Sequence, residues 1–184
     1  MLQKYLITSR EFYSDTPAVF REKLHSQFVK HLPNYALYRD KANPHYAVVA
    51  EHFVEVCNQF ENIKSFLHSD IDLAKKLYAY GVHLTSLEFD KIEKAKSLGL
   101  KVIISTHSLE EVLQAESLGA DYVTYSPIFA TPNKSEPKGI SDLKNTIASS
   151  KIKVFALGGI IDAKEVQMVE ETEAYGFASI RYFY

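Results

Sequence analysis

Tryptophan is absent, cysteine occurs once and methionine only twice, and charge of neither sign predominates. The lone Cys57 excludes an internal disulfide framework and suits a reducing cytosol, so a cytoplasmic location is expected. No apolar run approaches the ~18 residues that a transmembrane helix needs, and no membrane partner is expected. The opening Met1-Leu2-Gln3-Lys4-Tyr5 leads at once into a strand-like segment, with no visible leader. Lys and Arg total 21 against 23 Asp and Glu, a formal net charge of −2. A polyanion-binding protein would show a global basic excess, so no nucleic-acid partner is expected. A disordered chain is excluded as well, because 46% of the residues are apolar and the net charge is small. What remains is a single soluble globular domain over residues 1–184.

Eight β-type runs recur along the chain: Leu2–Thr8, Asn34–Arg39, Lys64–His68, Gly81–Leu84, Lys101–Ser105, Asp121–Ser126, Lys151–Leu157 and Tyr175–Ile180. Several are nearly continuous apolar stretches, such as Val102-Ile103-Ile104 and Val154-Phe155-Ala156-Leu157, the pattern of strands buried on both faces. The segments between them are helical in period. Thr16-Pro17 is an N-cap followed by proline at the first helical position, and Phe20, Leu24 and Phe28 then recur on one face. Ser108-Leu109-Glu110-Glu111 has the form of a capping box, with Gly119 where a helix end wants a left-handed residue. Asp162-Ala163-Lys164-Glu165 is a weaker version of the same signal. Strands alternating with helices mean right-handed βαβ units, and eight of them predict a compact (β/α)8 TIM barrel. Only seven helices fit, so the final helix is missing or truncated. That explains how the fold, which usually takes about 250 residues, is reached in so few. It also leaves a bare strip between the first and last strands, to be covered by a partner subunit, as in a homodimer, or by the Tyr182–Tyr184 tail.

Function in this fold sits at the C-terminal ends of the strands. Arg39, Lys41, Lys134 and Arg181 fall around that one opening, which points to a small anionic ligand. Gly158-Gly159 follows the seventh strand, where the fold commonly seats a phosphate on backbone N–H groups; a tight turn would also require glycine. The long loop Pro127–Gly139, with three prolines and two lysines, reads either as a lid over an anion or as an uninvolved solvated loop. His68, His83 and His107 lie near strand ends. They fit a metal site, a general acid/base at His107, or packed barrel residues with satisfied ring nitrogens.

Taken together these residues resemble the thiamine-phosphate synthase / TenI family. Leu37-Tyr38-Arg39-Asp40-Lys41 is similar to its Gln-Leu-Arg-Glu-Lys, and Gly81-Val82-His83-Leu84 to its Gly-Val-His-Leu-Gly. Ser105-Thr106-His107-Ser108-Leu109-Glu110-Glu111 is nearly its strand-5 signature. Pro127-Ile128-Phe129-Ala130-Thr131-Pro132-Asn133-Lys134 and Leu157-Gly158-Gly159-Ile160 follow in order.

The resemblance implies thiamine biosynthesis on small phosphorylated substrates. A synthase joins hydroxymethylpyrimidine diphosphate to thiazole phosphate with Mg²⁺ on the leaving group. The TenI branch instead tautomerises a thiazole carboxylate phosphate, using a histidine in the strand-5 motif and no metal. Carried over residue by residue, Arg39 and Lys41 match a diphosphate-binding pair. Ser105, Thr131 and Lys134 match substrate-binding positions, and Gly159 matches a phosphate-binding amide. The synthase's two Mg²⁺ aspartates correspond here to Ser69 and Glu88, and only Asp70, one place later, could substitute for the first. Mg²⁺ in phosphate sites is held by one or two carboxylates, so this loss weighs more than a lost hydrogen bond.

The expectation is therefore a TenI-like thiazole tautomerase (an isomerase). His107 would be catalytic, Arg39, Lys41, Ser105, Thr131 and Lys134 would bind substrate, and Gly158, Gly159 and Arg181 would hold the phosphate, with no cofactor. The alternatives are a thiamine-phosphate synthase (a transferase) with Mg²⁺ on Asp70 and Glu88, or a non-catalytic binder of thiazole or thiamine phosphates.

Overall fold

The eight apolar runs become eight parallel strands that close on themselves. In the computed structural model, which describes residues 1–184, these are β1 (Gln3–Ile7), β2 (Tyr35–Tyr38), β3 (Lys64–His68), β4 (Gly81–Leu84), β5 (Lys101–Thr106), β6 (Tyr122–Tyr125), β7 (Lys153–Leu157) and β8 (Gly176–Ser179). Each pairs with its sequence neighbours, and β1 pairs with β8 through Gln3 opposite Gly176 to Leu6 opposite Ser179. The boundaries fall within two residues of those read from the sequence. The excess lies in flanking residues such as Lys151 and Ile152, which are outside the ladder.

Seven crossover helices surround the barrel: α2 (Pro17–His31), α3 (Tyr46–Cys57), α4 (Ile71–Lys76), α5 (Ile92–Ser97), α6 (Leu109–Ser117), α7 (Gly139–Ala148) and α8 (Ala163–Glu170). A one-turn helix, α1 (Arg10–Tyr13), precedes α2 in the first loop, and β8 is followed only by a 3-10 turn, Arg181–Phe183. None of the helices is long and apolar enough to cross a membrane. Thr16 precedes Pro17 at the start of α2 but makes no side-chain capping bond, and the two capping-box signals exchange strength. Asp162 and Glu165 form the complete reciprocal capping box on α8, although theirs was the weaker sequence signal. At α6 only half of the box forms: Ser108 Oγ accepts from the Glu111 N–H at 3.2 Å. The Glu111 carboxylate instead takes the backbone N–H of His107 at 2.6 Å.

Strand alternation sends side chains to two apolar layers. Leu6, Ala36, Leu67, Val82, Ile104, Val123 and Ala156 point outward to the helices. Tyr5, Tyr35, Phe66, Ile103, Tyr122 and Phe155 fill the barrel interior. Five of those six are aromatic, and they fit because two strands begin with glycine. A Cβ on Gly81 would lie 2.5 Å from the Phe66 ring, and one on Gly176 would lie 2.6 Å from Phe155. The N-terminal end is plugged by Tyr35, whose hydroxyl meets Tyr175 at 2.6 Å and Tyr122 at 3.3 Å, with Lys64 and Lys153 lying over the rings. The barrel is therefore open at its other end, where the strands finish.

The residues after β8 pack back onto the barrel wall. Phe183 is fully buried, stacked on Phe177 at 5.6 Å and edge-on to His31 at 5.4 Å. Tyr184 lies 4.2 Å from Phe12 between ring centres. The tail thus covers this wall, one of the two ways expected from the sequence. Phe183→Ala should therefore cost about 3–5 kcal/mol in urea unfolding. By contrast, Leu87→Ala at a highly exposed position should change stability by less than about 0.5 kcal/mol. Equal effects from the two substitutions would contradict a tail that serves as barrel wall.

Candidate functional site

A cavity of about 470 Å3 opens at the C-terminal ends of the strands. Its walls include Arg39 and Lys41 after β2, His68 and His83 on β3 and β4, Ser105 and His107 at the end of β5, Thr131 and Lys134 after β6, and Gly158 after β7. Seven of the residues expected to bind or turn over substrate meet here: Arg39, Lys41, Ser105, His107, Thr131, Lys134 and Gly158. Gly159 lies one residue beyond the wall, and Arg181 sits exposed on the turn after β8. Neither Asp nor Glu lines the cavity. Arg39, Lys41, Lys134 and Arg181 take part in none of the ion pairs of the chain. A near-neutral protein thus keeps a chamber of uncompensated positive charge, the electrostatic requirement for a small anion.

Gly158 and Gly159 have φ of 102° and 70°, in the left-handed region where a side chain is strained. Space is short as well. A Cβ on Gly158 would lie 2.8 Å from Pro127 Cα, and one on Gly159 would lie 2.6 Å from Phe129 Cβ. The turn therefore needs glycine because the strand-6 loop packs on it, through Ile128 N–H to Leu157 O at 2.9 Å and Phe129 N–H to Gly158 O at 3.0 Å. The N–H groups of Gly158, Gly159 and Ile160 donate to no acceptor in the chain. The packing realises the tight turn, and the free N–H groups leave the segment able to donate to an anion's oxygens. The loop over them is pinned at both ends, with Lys138 N–H on Pro127 O and Gly139 N–H on Ile128 O, while residues 132–137 between these anchors are exposed.

The three histidines differ in kind. His107 is exposed at the rim, and its Nδ1 is 3.0 Å from Ser126 O. A carbonyl only accepts, so the neutral ring carries its hydrogen on Nδ1 and leaves the Nε2 lone pair free. Its backbone is fixed by Glu111. Burial, reinforced by the Lys41 and Arg39 charges, lowers His68 to about 4. Burial lowers His83 further, to about 3, with His68 and Arg39 acting in the same direction. Both rings are neutral at physiological pH. His83 Nδ1 meets Tyr5 Oη at 2.8 Å and its Nε2 meets Ser105 Oγ at 3.0 Å. Sequence reasoning left His83 undecided and missed Tyr5. The signal was strand alternation: His83 pairs with Ile103, and both face inward with Tyr5.

The positions that would carry Mg²⁺ in a synthase are occupied by a closed hydrogen-bond cluster. Glu88 Oε2 accepts from Ser69 Oγ at 2.7 Å, Thr85 N–H at 2.8 Å and Thr85 Oγ1 at 2.9 Å. Its Oε1 pairs with Lys91 Nζ at 2.7 Å. Burial alone would raise this carboxyl, but Lys91, Thr85 and Ser69 outweigh it and hold Glu88 at about 2. Asp70 turns away to cap α4, accepting the Leu73 N–H at 2.9 Å, and lies in a neighbouring groove. With one carboxylate already filled by three donors and an ammonium, and the other engaged in a cap, the donor set does not fit a Mg²⁺ ion.

Comparison with known proteins places these features in context. The family model described as thiamine monophosphate synthase matches residues 4–183. A thiamine-phosphate synthase of Fusobacterium nucleatum is 34% identical over 131 residues, covering 68% of this chain and 62% of that protein. One of Synechococcus sp. (strain WH7803) is 36% identical over 115 residues, covering 60% of this chain and 32% of that protein. The matched stretch thus spans less than two thirds of either relative. Among solved structures, the thiamine phosphate pyrophosphorylase of Pyrococcus furiosus superposes with a TM-score of 0.83 at 28% identity, covering 97% of this chain and 85% of that one.

Acid should unfold the protein through its buried histidines. Below the ordinary 6.5 an unfolded His83 takes up a proton that the folded ring refuses until about 3. The unfolded state therefore binds more protons, and stability falls as pH falls. His83 contributes on the order of 1.4 kcal/mol per pH unit within that window. His68 acts in the same sense down to about 4. The low Glu88 adds a further loss below its ordinary 4.5. Urea midpoints measured between roughly pH 7 and pH 4 should drop steadily, and the drop should shrink in a variant where His83 is replaced by Gln. A flat profile would contradict the assignment of neutral buried rings.

Proposed function

The chain belongs to the thiamine monophosphate synthase family, and from that premise we propose that it is a TenI-like tautomerase acting on a thiazole carboxylate phosphate. The observation that carries this reading is His107. It is held with a free Nε2 lone pair at the rim of a cationic chamber without carboxylates. Tautomerisation moves one proton between positions of the same molecule, so one group that takes and returns a proton suffices. Nε2 is that group in this reading, and Ser126 and Glu111 hold the ring and its backbone in place. The unpaired N–H groups of Gly158 and Gly159 receive the phosphate, with Lys134 closing from the strand-6 loop and Arg181 nearby on the next turn. Arg39 and Lys41 hold the carboxylate across the mouth. Ser105 and Thr131 contact the substrate between them.

A second reading, synthase activity joining hydroxymethylpyrimidine diphosphate to thiazole phosphate, is favoured by the relatives, which are named thiamine-phosphate synthases. The cluster of Ser69, Glu88 and Lys91 argues against it, because diphosphate departure in that reaction relies on a metal that this donor set does not accommodate. Two assays separate the readings. Tautomer conversion should proceed without Mg²⁺, and His107→Asn should lower kcat by about 10²–10⁴ with little change in KM. Lys134→Gln should mainly raise KM. Mg²⁺-dependent release of diphosphate from the pyrimidine substrate would favour the synthase. Tight binding of thiazole phosphate with no turnover in either assay would leave a carrier.

A further inference from the structure

We infer that Tyr5 and His83 form a positioning relay that fixes the Ser105 hydroxyl as a hydrogen-bond donor to the bound ligand, so that the site selects an acceptor atom at that point. The relay deepens the proposed function and rests on its reading of the cavity as the ligand site. Its parts come from three strands. Tyr5 on β1 is fully buried, His83 on β4 is 4% exposed, and Ser105 on β5 lines the cavity. The Tyr5 and His83 rings stack at 5.8 Å and 24°. Tyr5 Oη has His83 Nδ1 as its one partner, and Ser105 Oγ has His83 Nε2 as its one partner.

A neutral imidazole has one N–H and one lone pair, so two arrangements are open. In one, His83 donates from Nδ1 to Tyr5 and accepts from Ser105. The Tyr5 hydrogen then has no acceptor, although it lies among Phe66, Phe155 and Tyr35 in the barrel interior. Leaving a buried donor unsatisfied costs its full desolvation penalty. In the other, Tyr5 donates to Nδ1 and Nε2–H donates to Ser105 Oγ. Every buried donor then has an acceptor, and the one hydrogen left over is that of Ser105, at the cavity wall where a ligand supplies the acceptor. A charged ring would donate from both nitrogens and strand the Tyr5 hydrogen again; burial beside Arg39 disfavours it.

The second arrangement has a chemical consequence. Because Ser105 accepts from Nε2–H, its own hydrogen is directed at the ligand. Had Ser105 donated to His83 it could only accept from the ligand; with its hydrogen free it can donate to a carboxylate or phosphate oxygen, or to a ring nitrogen lone pair. Where proton removal by His107 places negative charge on such an atom, a pre-set donor stabilises it without reorganising. Tyr5 and His83 act through Ser105 and are positioning residues.

The tautomer is read directly on 15N-labelled, unliganded protein by long-range 1H–15N correlation of the His83 ring. The wild type should show a protonated Nε2 and a bare Nδ1, unchanged between roughly pH 5 and pH 8. Tyr5→Phe should leave the proton on Nε2 but shift the Nδ1 15N resonance, because its lone pair loses the Tyr5 hydrogen bond, and should weaken binding of thiazole phosphate about three- to tenfold. Adding Ser105→Ala to Tyr5→Phe should cost less than it does in the wild type, since both changes break the one chain of hydrogen bonds through His83. A wild-type ring protonated on Nδ1, or one that titrates in this range, would overturn the relay. So would a His83 spectrum indifferent to Tyr5→Phe, or full additivity of the two substitutions. The wild-type measurement needs no variant to fold. It also needs no turnover, so a failure of the tautomerase reading would leave it intact, and an Nδ1–H ring would overturn the relay with that reading untouched.

Discussion

The pairing of β1 with β8 is the contact on which everything else depends. Until the sheet closes, Tyr5 has no His83 to reach, the interior aromatics have no opposite wall, and the eight strand ends do not surround one space. Closure turns residues scattered from position 39 to position 158 into the lining of a single cavity. The tail keeps the closure dry, with Phe183 buried over the region where other barrels of this type place a last helix. The aromatic fill and the tyrosine plug stiffen the closed floor, so the mouth is the end left for a ligand.

At that mouth, what the wall lacks matters as much as what it carries. Opposite charges elsewhere on the molecule are paired: Asp121 with Lys96 and Lys101, Asp40 with Arg10, and Glu88 with Lys91. The cations of the cavity are left without such partners, so the net charge of −2 conceals a local excess of the other sign. Lys91 occupies Glu88, the carboxylate nearest in kind to a metal ligand, and Ser69 donates to it where an aspartate would offer a second.

Much of this was legible in the sequence, and for identifiable reasons. Parallel strands buried on both faces must be apolar throughout, which is why Val102-Ile103-Ile104 and Val154-Phe155-Ala156-Leu157 marked their strands within a residue or two. The barrel then dictated where loops converge, so Arg39, Ser105, His107, Thr131, Lys134 and Gly158 could be brought together without coordinates. Hydrogen-bond exchanges were not legible, because they depend on which of two near-equal partners wins. Glu111 satisfies His107 rather than Ser108, and Asp70 caps a helix rather than facing the mouth. The direction of Tyr5 and His83 follows from inward register, but their meeting requires two strands that lie 78 residues apart. The role of the tail was left open because an aromatic triplet carries no information about which surface it covers.

A crystal structure of the protein with thiazole phosphate and excess Mg²⁺ tests the central claim most directly. The account predicts the phosphate on the Gly158 and Gly159 N–H groups beside Lys134, the ring within reach of His107 Nε2, and the Glu88–Lys91 pair intact with no metal between Ser69 and Glu88. A Mg²⁺ ion held by Glu88 or Asp70, with Lys91 displaced, would contradict it.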